Sequence, residues 1–195
     1  MATAVIGDPA PYRERFDRDN YLLFDAPFAP AFLTTVMARA AAAQFSDDDV
    51  EYVGRRQIEA PQRVGGLLNL VLARQVLRDW IEQATGLAPC CAASGRLVQT
   101  IAGSAQSLEW HDDLNVAGRL LGVVINLSDT AFGGGAFELR RKGEAQPLLT
   151  HHYTQPGAMM VFAVNNVLEH RVAEVTAGGP RRVYAGWFLS TQDHG

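Results

Sequence analysis

The chain of 195 residues is poor in long apolar runs, in excess basic charge and in cysteine. No stretch offers the roughly 20 consecutive apolar residues of a membrane-spanning helix, and the N-terminal residues lack the basic start and apolar run of a secretory signal. The formal net charge of -4 at pH 7 gives no electrostatic attraction to nucleic acid or to an anionic membrane. The two cysteines, Cys90 and Cys91, are neighbours and form neither a disulfide framework nor a paired-thiol metal motif. We therefore expect a cytoplasmic protein that binds neither nucleic acid nor membrane.

The composition, with 48% hydrophobic and 19% charged residues, is that of one globular domain over residues 1–195. Residues 1–18 are polar and charged, which predicts a loosely held N-terminal arm. Residues 19–94 are expected to form helical support and a lid, and residues 95–190 a β-rich core. The oligomeric state stays open.

The segment before residue 95 contains two predicted helices. Tyr21–Phe24 is typical of a short buried strand, and the alanine-rich stretch after Pro30 predicts a helix over residues 31–44. Residues 46–66 are polar and without periodicity, which predicts a long loop or lid. A single helix is then expected, ended by Gly86, with an apolar stripe formed by Leu67, Leu70, Val71, Leu77 and Ile81.

The segment from residue 95 changes to short β-rich runs, most of them separated by Gly, Pro, Asn or Asp. Eight such runs with turn residues between them favour a sandwich or barrel. We therefore predict an α+β fold, a jelly roll with the N-terminal helices packed on one sheet.

One short motif carries the chemistry. In Trp110-His111-Asp112-Asp113, strand alternation would point His111 and Asp113 to one face. A second histidine, His170, begins a later strand that closure of a jelly roll can bring alongside. Two histidines and one carboxylate form the facial triad of non-haem Fe(II) oxygenases, which leaves room on the metal for a chelating 2-oxo acid and for O2. The alternative is a strand-end histidine with two solvated aspartates, because His-x-Asp alone occurs by chance in many proteins.

A wider set of motifs follows the same order as in a known family. The motifs HDD, VVINLSD, FGGGAFELRR, PGAMMVFAVNNVLEHRVAEVT and GPRRVYAGWF resemble those of the Fe(II)/2-oxoglutarate-dependent dioxygenase superfamily, in particular its prolyl-hydroxylase-like branch. The resemblance covers about residues 95–190 and implies a double-stranded β-helix, the family's form of the jelly roll.

The resemblance implies roles for individual residues. His111, Asp113 and His170 match the iron ligands. Arg181, in Gly179-Pro180-Arg181, matches the arginine that pairs with the distal carboxylate of 2-oxoglutarate, and Trp187 stands at the family's spacing after it. The arginine follows the histidine by eleven residues (181 − 170) instead of the usual nine or ten, which leaves Arg181 and Arg182 as alternatives.

Two further co-substrate contacts follow from the resemblance. Asn126 stands where the family often has a tyrosine that contacts 2-oxoglutarate, and Gln99 stands where another tyrosine is common. Both are polar residues on apolar strands, so each needs a hydrogen-bonding partner.

The function implied is that of a 2-oxoglutarate-dependent dioxygenase using Fe(II) and O2, with ascorbate as reductant in vitro. It would hydroxylate an unactivated C–H bond of a small molecule, such as an amino acid or natural-product intermediate, or of a peptide side chain, and release succinate and CO2. The alternative is a non-catalytic, cupin-like metal-binding or sensor protein, although the chain lacks the His-x-His cluster usual in cupins.

Overall fold

A computed structural model describes residues 7–51, 53–87, 89–153 and 155–190. Its helices are α1 Ala10–Asp19, α2 Pro30–Ala41, α3 Val64–Leu72 and α4 Gln75–Thr85. Its strands are β1 Tyr21–Phe24, β2 Phe45–Val50, β3 Gly54–Glu59, β4 Ala92–Thr100, β5 Leu108–His111, β6 Arg119–Asn126, β7 Phe132–Gly134, β8 Phe137–Arg141, β9 Leu149–His151, β10 Met159–Ala163, β11 Leu168–Val172, β12 Val175–Gly178 and β13 Arg181–Leu189.

The strands form one large antiparallel sheet in the order β1-β10-β6-β13-β4-β3-β5-β11-β8-β9, with β2 paired to β3. The sheet curls on itself, because Phe137 of β8 packs against Phe162 of β10 with ring centroids 5.0 Å apart although the two strands are distant in this order. A separate two-stranded ribbon joins β7 and β12. The curled sheet with helices beside it confirms the predicted α+β double-stranded β-helix.

Helix α3 lies against the β4–β13 part of the sheet, whereas α1 contacts β1 and α4. Asn69 of α3 donates to the Gly95 carbonyl over 3.2 Å and accepts from the Tyr184 hydroxyl over 2.6 Å. Glu59, at the end of β3, accepts from the backbone N–H groups of Val64 and Gly65 and so satisfies the free donors of the α3 N-terminus. None of the helices in the described part of the chain is long and apolar enough to cross a membrane.

The expectation of a loose arm over residues 1–18 was wrong for the part that the structure describes. Residues 10–19 form α1, whose Phe16 is buried and whose Tyr12 packs on Phe24 and Trp80 with centroid distances of 5.2 and 5.1 Å. Because charged residues surround these two aromatic residues in the sequence, the pattern did not reveal the apolar face by which the helix packs on the rest of the protein. Residues 1–6 lie outside the described residues.

The predicted long loop over residues 46–66 is largely the hairpin β2–β3. Charge pairs join its strands, Asp48 to Arg56 over 2.8 Å and Asp49 to Arg55 over 2.9 Å. Opposite charges facing each other across a strand pair stabilise it without any apolar alternation, so the sequence pattern gave no strand signal.

The single helix predicted after this segment is two helices, α3 and α4, separated at Ala73 and Arg74. The backbone of Arg74 is extended, at φ -63° and ψ 133°, and this resets the phase of the helical face. Leu70 lies off the buried face of α3 and has 74% of its surface exposed, whereas Val71 and Ile81 are buried as predicted.

Candidate active site

The two histidines of the predicted triad come together through strand pairing. His111 ends β5 and His170 lies within β11, and the two are direct partners in the antiparallel register. Their rings are 4.2 Å apart between centroids. Hydrogen bonding between the two strands therefore places both imidazoles on the inner face of the curled sheet.

The carboxylate reaches the histidines by a turn. Strand β5 ends at His111, so the alternation predicted from the sequence does not extend to Asp113, which has φ +62° in the left-handed region that aspartate tolerates better than most residues. Its Oδ2 lies 3.4 Å from Nε2 of His170, and its Oδ1 lies 3.8 Å from Nε2 of His111. One ligand atom from each of the three residues lies within 4.8 Å of the others, which is the spacing of a metal-binding cluster.

Both histidines present Nε2 toward Asp113. Burial, with a further contribution from nearby His111, lowers the pKa of His170 to about 3, which keeps its imidazole neutral. Nδ1 of His111 is 2.6 Å from the carbonyl oxygen of Glu109. Since a carbonyl only accepts, Nδ1 carries a proton, and this hydrogen bond orients the ring so that Nε2 faces Asp113.

The triad opens into a cavity of about 390 Å³ inside the curled sheet. Its apolar walls come from both halves of the fold, including Val123 of β6, Phe137 of β8 and Phe162 of β10. Val50 and Val53, at the tip of the β2–β3 hairpin, line it as well. The segment predicted as a lid thus contributes to this cavity as an ordered hairpin.

Arg181 is a buried cation of this cavity without an ion pair among the residues that the structure describes. Only 2% of its surface is exposed, its Nε has no hydrogen-bonding partner in the described part of the chain, and burial lowers its pKa. Thr100, its direct partner on β4, also lines the cavity and has a buried hydroxyl without a partner among the described residues. Buried polar groups normally have partners, so this pair fits a ligand carboxylate.

Arg182 points the other way. Its guanidinium donates to Asp129 over 2.8 Å and to Gln99 over 2.9 Å on the outer side of the sheet. Of the two arginines that the sequence left as alternatives, only Arg181 lines the cavity.

Comparison of the sequence with known protein families finds one match. Residues 96–189 match the model described as the 2OG-Fe(II) oxygenase superfamily. Residues 96–189 belong to that superfamily. The oxygenase is a 2-oxoglutarate-dependent dioxygenase by class, as the sequence predicted, and its matched segment carries the triad as well as Thr100 and Arg181. No curated protein matches the chain.

Solved structures with the same fold span nearly the whole oxygenase. A 2OG-Fe(II) oxygenase family oxidoreductase from Burkholderia pseudomallei is 18% identical with a TM-score of 0.71, covering 95% of this chain and 92% of that one. A Pseudomonas putida prolyl-4-hydroxylase is 18% identical with a TM-score of 0.67, covering 94% and 100%. A Trichoplax adhaerens prolyl hydroxylase, in complex with a hypoxia inducible factor peptide fragment, is 14% identical with a TM-score of 0.70, covering 92% and 87%. At these identities the likeness shows the fold alone.

Two predicted co-substrate contacts do not agree with the geometry of the oxygenase. Gln99 faces outward, where it accepts from Arg182 and donates to Gln57, and it does not line the cavity. Asn126 donates to the Gln155 carbonyl over 2.9 Å and accepts from the Ser128 N–H over 3.1 Å. The side chains of both residues have hydrogen-bonding partners within the protein, so we assign them structural roles.

Three residues near the triad were missed by sequence reasoning or given no role there. Thr100 is the neighbour of Gln99, and a shift of one residue on a strand exchanges the two faces of the sheet. Arg119 and the indole N–H of Trp187 both bond to Asp113. Arg119 reaches Asp113 across the turn before β6, and Trp187 reaches it from β13, far along the chain, so neither contact follows from strand or helix spacing.

Proposed function

We propose that this oxygenase hydroxylates an unactivated C–H bond of a small molecule, with Fe(II) held by His111, Asp113 and His170. The observation that carries the proposal is the convergence of two imidazoles and a carboxylate in the cavity that also contains Arg181, whose Nε has no hydrogen-bonding partner among the described residues. This donor set fits Fe(II), which oxygenases of this kind bind through two histidines and one carboxylate.

Arg181 and Thr100 would bind the distal carboxylate of 2-oxoglutarate. A guanidinium binds a carboxylate through two parallel N–H donors, and the Thr100 hydroxyl adds a donor from the opposite strand. When bound, Fe(II) and 2-oxoglutarate supply the O2-dependent oxidation, in which one oxygen atom enters the substrate C–H bond and the other enters succinate as CO2 leaves.

The protein part of the reaction is to position the reactants and exclude water. The walls formed by Val123, Phe137 and Phe162 keep the space in front of the triad apolar. A volume of about 390 Å³ is near the lower end for ligand sites, and 2-oxoglutarate has to share it. This small shared space favours a small molecule, such as an amino acid or natural-product intermediate, over a peptide chain inserted at length.

The test is succinate release by the purified protein with Fe(II), 2-oxoglutarate and ascorbate across a panel of amino acids and small peptides. We expect slow succinate formation without substrate and faster formation with the correct one. His170→Ala should abolish both, while His152→Ala, which changes an exposed histidine, should retain them. Full turnover in the His170 variant, or no consumption of 2-oxoglutarate by the wild type under any condition, would contradict the proposal.

A further inference from the structure

Asp113 is held from two sides by groups outside the triad. The Trp187 indole N–H donates to Oδ2 over 2.8 Å, and Nη1 of Arg119 lies 3.2 Å from Oδ1. We propose that Trp187 and Arg119 are positioning residues that set how tightly, and in what geometry, Asp113 holds the metal. This inference rests on the proposed function in one respect, the binding of the metal by the triad.

Asp113 needs such support because no strand fixes it. It sits beyond the end of β5 with a left-handed backbone, in the turn that leads into β6. Nη1 of Arg119 also donates to the Asp113 carbonyl over 3.1 Å and to the Asn115 side chain over 3.2 Å. One guanidinium group therefore fixes both the turn and the carboxylate that the turn presents.

The two supporting side chains also fix each other. The guanidinium carbon of Arg119 lies 3.6 Å from the centre of the Trp187 ring, within the range of a cation–π contact. Trp187 is on the same strand and the same face as Arg181, and both line the cavity. Strand β13 thus carries both Arg181, which is proposed to bind the co-substrate, and Trp187, which contacts the proposed metal ligand Asp113.

The hydrogen bonds leave the carboxylate able to bind a metal. Each oxygen of an ionised carboxylate has about two lone-pair directions, and each accepts one of these N–H groups. The rotation of the carboxylate is then restricted before the metal arrives. Loss of an outer hydrogen bond of this kind typically weakens metal binding about 10- to 100-fold.

The test compares Mn(II) affinity, followed by electron paramagnetic resonance, in the wild type, Trp187→Phe and Trp80→Phe. Trp187→Phe retains a ring beneath Arg119 and removes only the N–H donor, so it should bind Mn(II) roughly 10- to 100-fold more weakly with an altered signal. Trp80→Phe is the matched control, because it also removes an indole hydrogen bond, to the Gly7 carbonyl over 2.6 Å, away from the cavity.

Arg119→Lys is the second variant, since it retains the positive charge and loses the planar donor group and its stacking on Trp187. It should also weaken Mn(II) binding and alter the signal, with a metal-free unfolding midpoint close to that of the wild type. Wild-type affinity and an unchanged signal in Trp187→Phe would overturn the inference and leave the proposed function intact. Failure of the wild-type protein itself to bind Mn(II) would overturn the proposed function, and this inference with it.

Discussion

At the residue scale, the cavity contains two buried polar side chains without hydrogen-bonding partners in the described part of the chain. Arg181 and Thr100 face each other across β13 and β4, and both have buried polar atoms without partners among the described residues. An unpaired buried charge is costly in a protein held together by apolar contacts, so a bound carboxylate is the expected counterpart.

Arg181→Ala is predicted to raise the 2-oxoglutarate concentration required roughly thirtyfold or more. A buried charged pair that loses one partner weakens binding by about 2–5 kcal/mol, and each 1.4 kcal/mol is tenfold in affinity. The measurement is the apparent affinity in a succinate assay. Arg182→Ala should change it little, because Arg182 pairs with Asp129 on the outer side; the reverse pattern would identify Arg182 as the clamp.

Thr100→Val should weaken 2-oxoglutarate binding with little change in metal affinity. The substitution retains the side-chain shape and removes one hydrogen-bond donor, worth about 1.5–3 kcal/mol when its partner is charged, or about tenfold or more in affinity. Isothermal titration of the Mn(II)-loaded protein would measure it. Gln99→Leu is the neighbouring comparison and should leave 2-oxoglutarate affinity near the wild-type value, since Gln99 lies outside the cavity.

At the scale of single elements, α1 and the β2–β3 hairpin have the same kind of sequence. Both are rich in charged residues, and both are ordered through a few specific contacts. For α1 the contacts are aromatic, with Tyr12 on Phe24 and Phe16 in the core. For the hairpin they are cross-strand ion pairs. High charge in a segment therefore does not predict that the segment is loosely held when a few of its residues make specific contacts.

Phe16→Ala should destabilise the protein by about 3–5 kcal/mol, the cost of removing a large buried aromatic side chain. Phe16 is 4% exposed. Chemical denaturation would measure the change. Arg15→Ala, an exposed position on the same helix, should change the stability by less than about 0.5 kcal/mol. Equal, negligible effects of both would support a loose N-terminal arm after all.

At the scale of the whole molecule, the site depends on closure of the curled sheet. The proposed metal ligands lie on or next to β5 and β11, whereas Arg181 and Thr100 lie on β13 and β4, and β3 connects the two groups of strands. Ligands that bridge the two groups should therefore stabilise the folded state as a unit.

Mn(II) together with 2-oxoglutarate should raise the unfolding midpoint. At a concentration 100 times the dissociation constant, a ligand adds about 2.7 kcal/mol. For a domain of this size each kcal/mol corresponds to roughly 2–4 °C, so a rise of roughly 5–11 °C is expected from these values. A thermal scan measures it, and chelation of the metal should reverse it. The same rise in an Asp113→Ala variant would place the ligands elsewhere.

The sequence by itself determined the fold class and the superfamily, and it predicted the three residues of the triad. Strand-length runs, turn residues and the ordered motifs from His111 to Trp187 are local patterns that are visible in the sequence alone. What only the tertiary structure decided depends on contacts that strand or helix spacing does not predict. The inward face of Thr100, the outward face of Gln99 and Arg182, and the support of Asp113 by Arg119 and Trp187 are of this kind. A shift of one residue in strand register exchanges the two faces of a sheet, and only the pairing of strands in the folded molecule fixes that register.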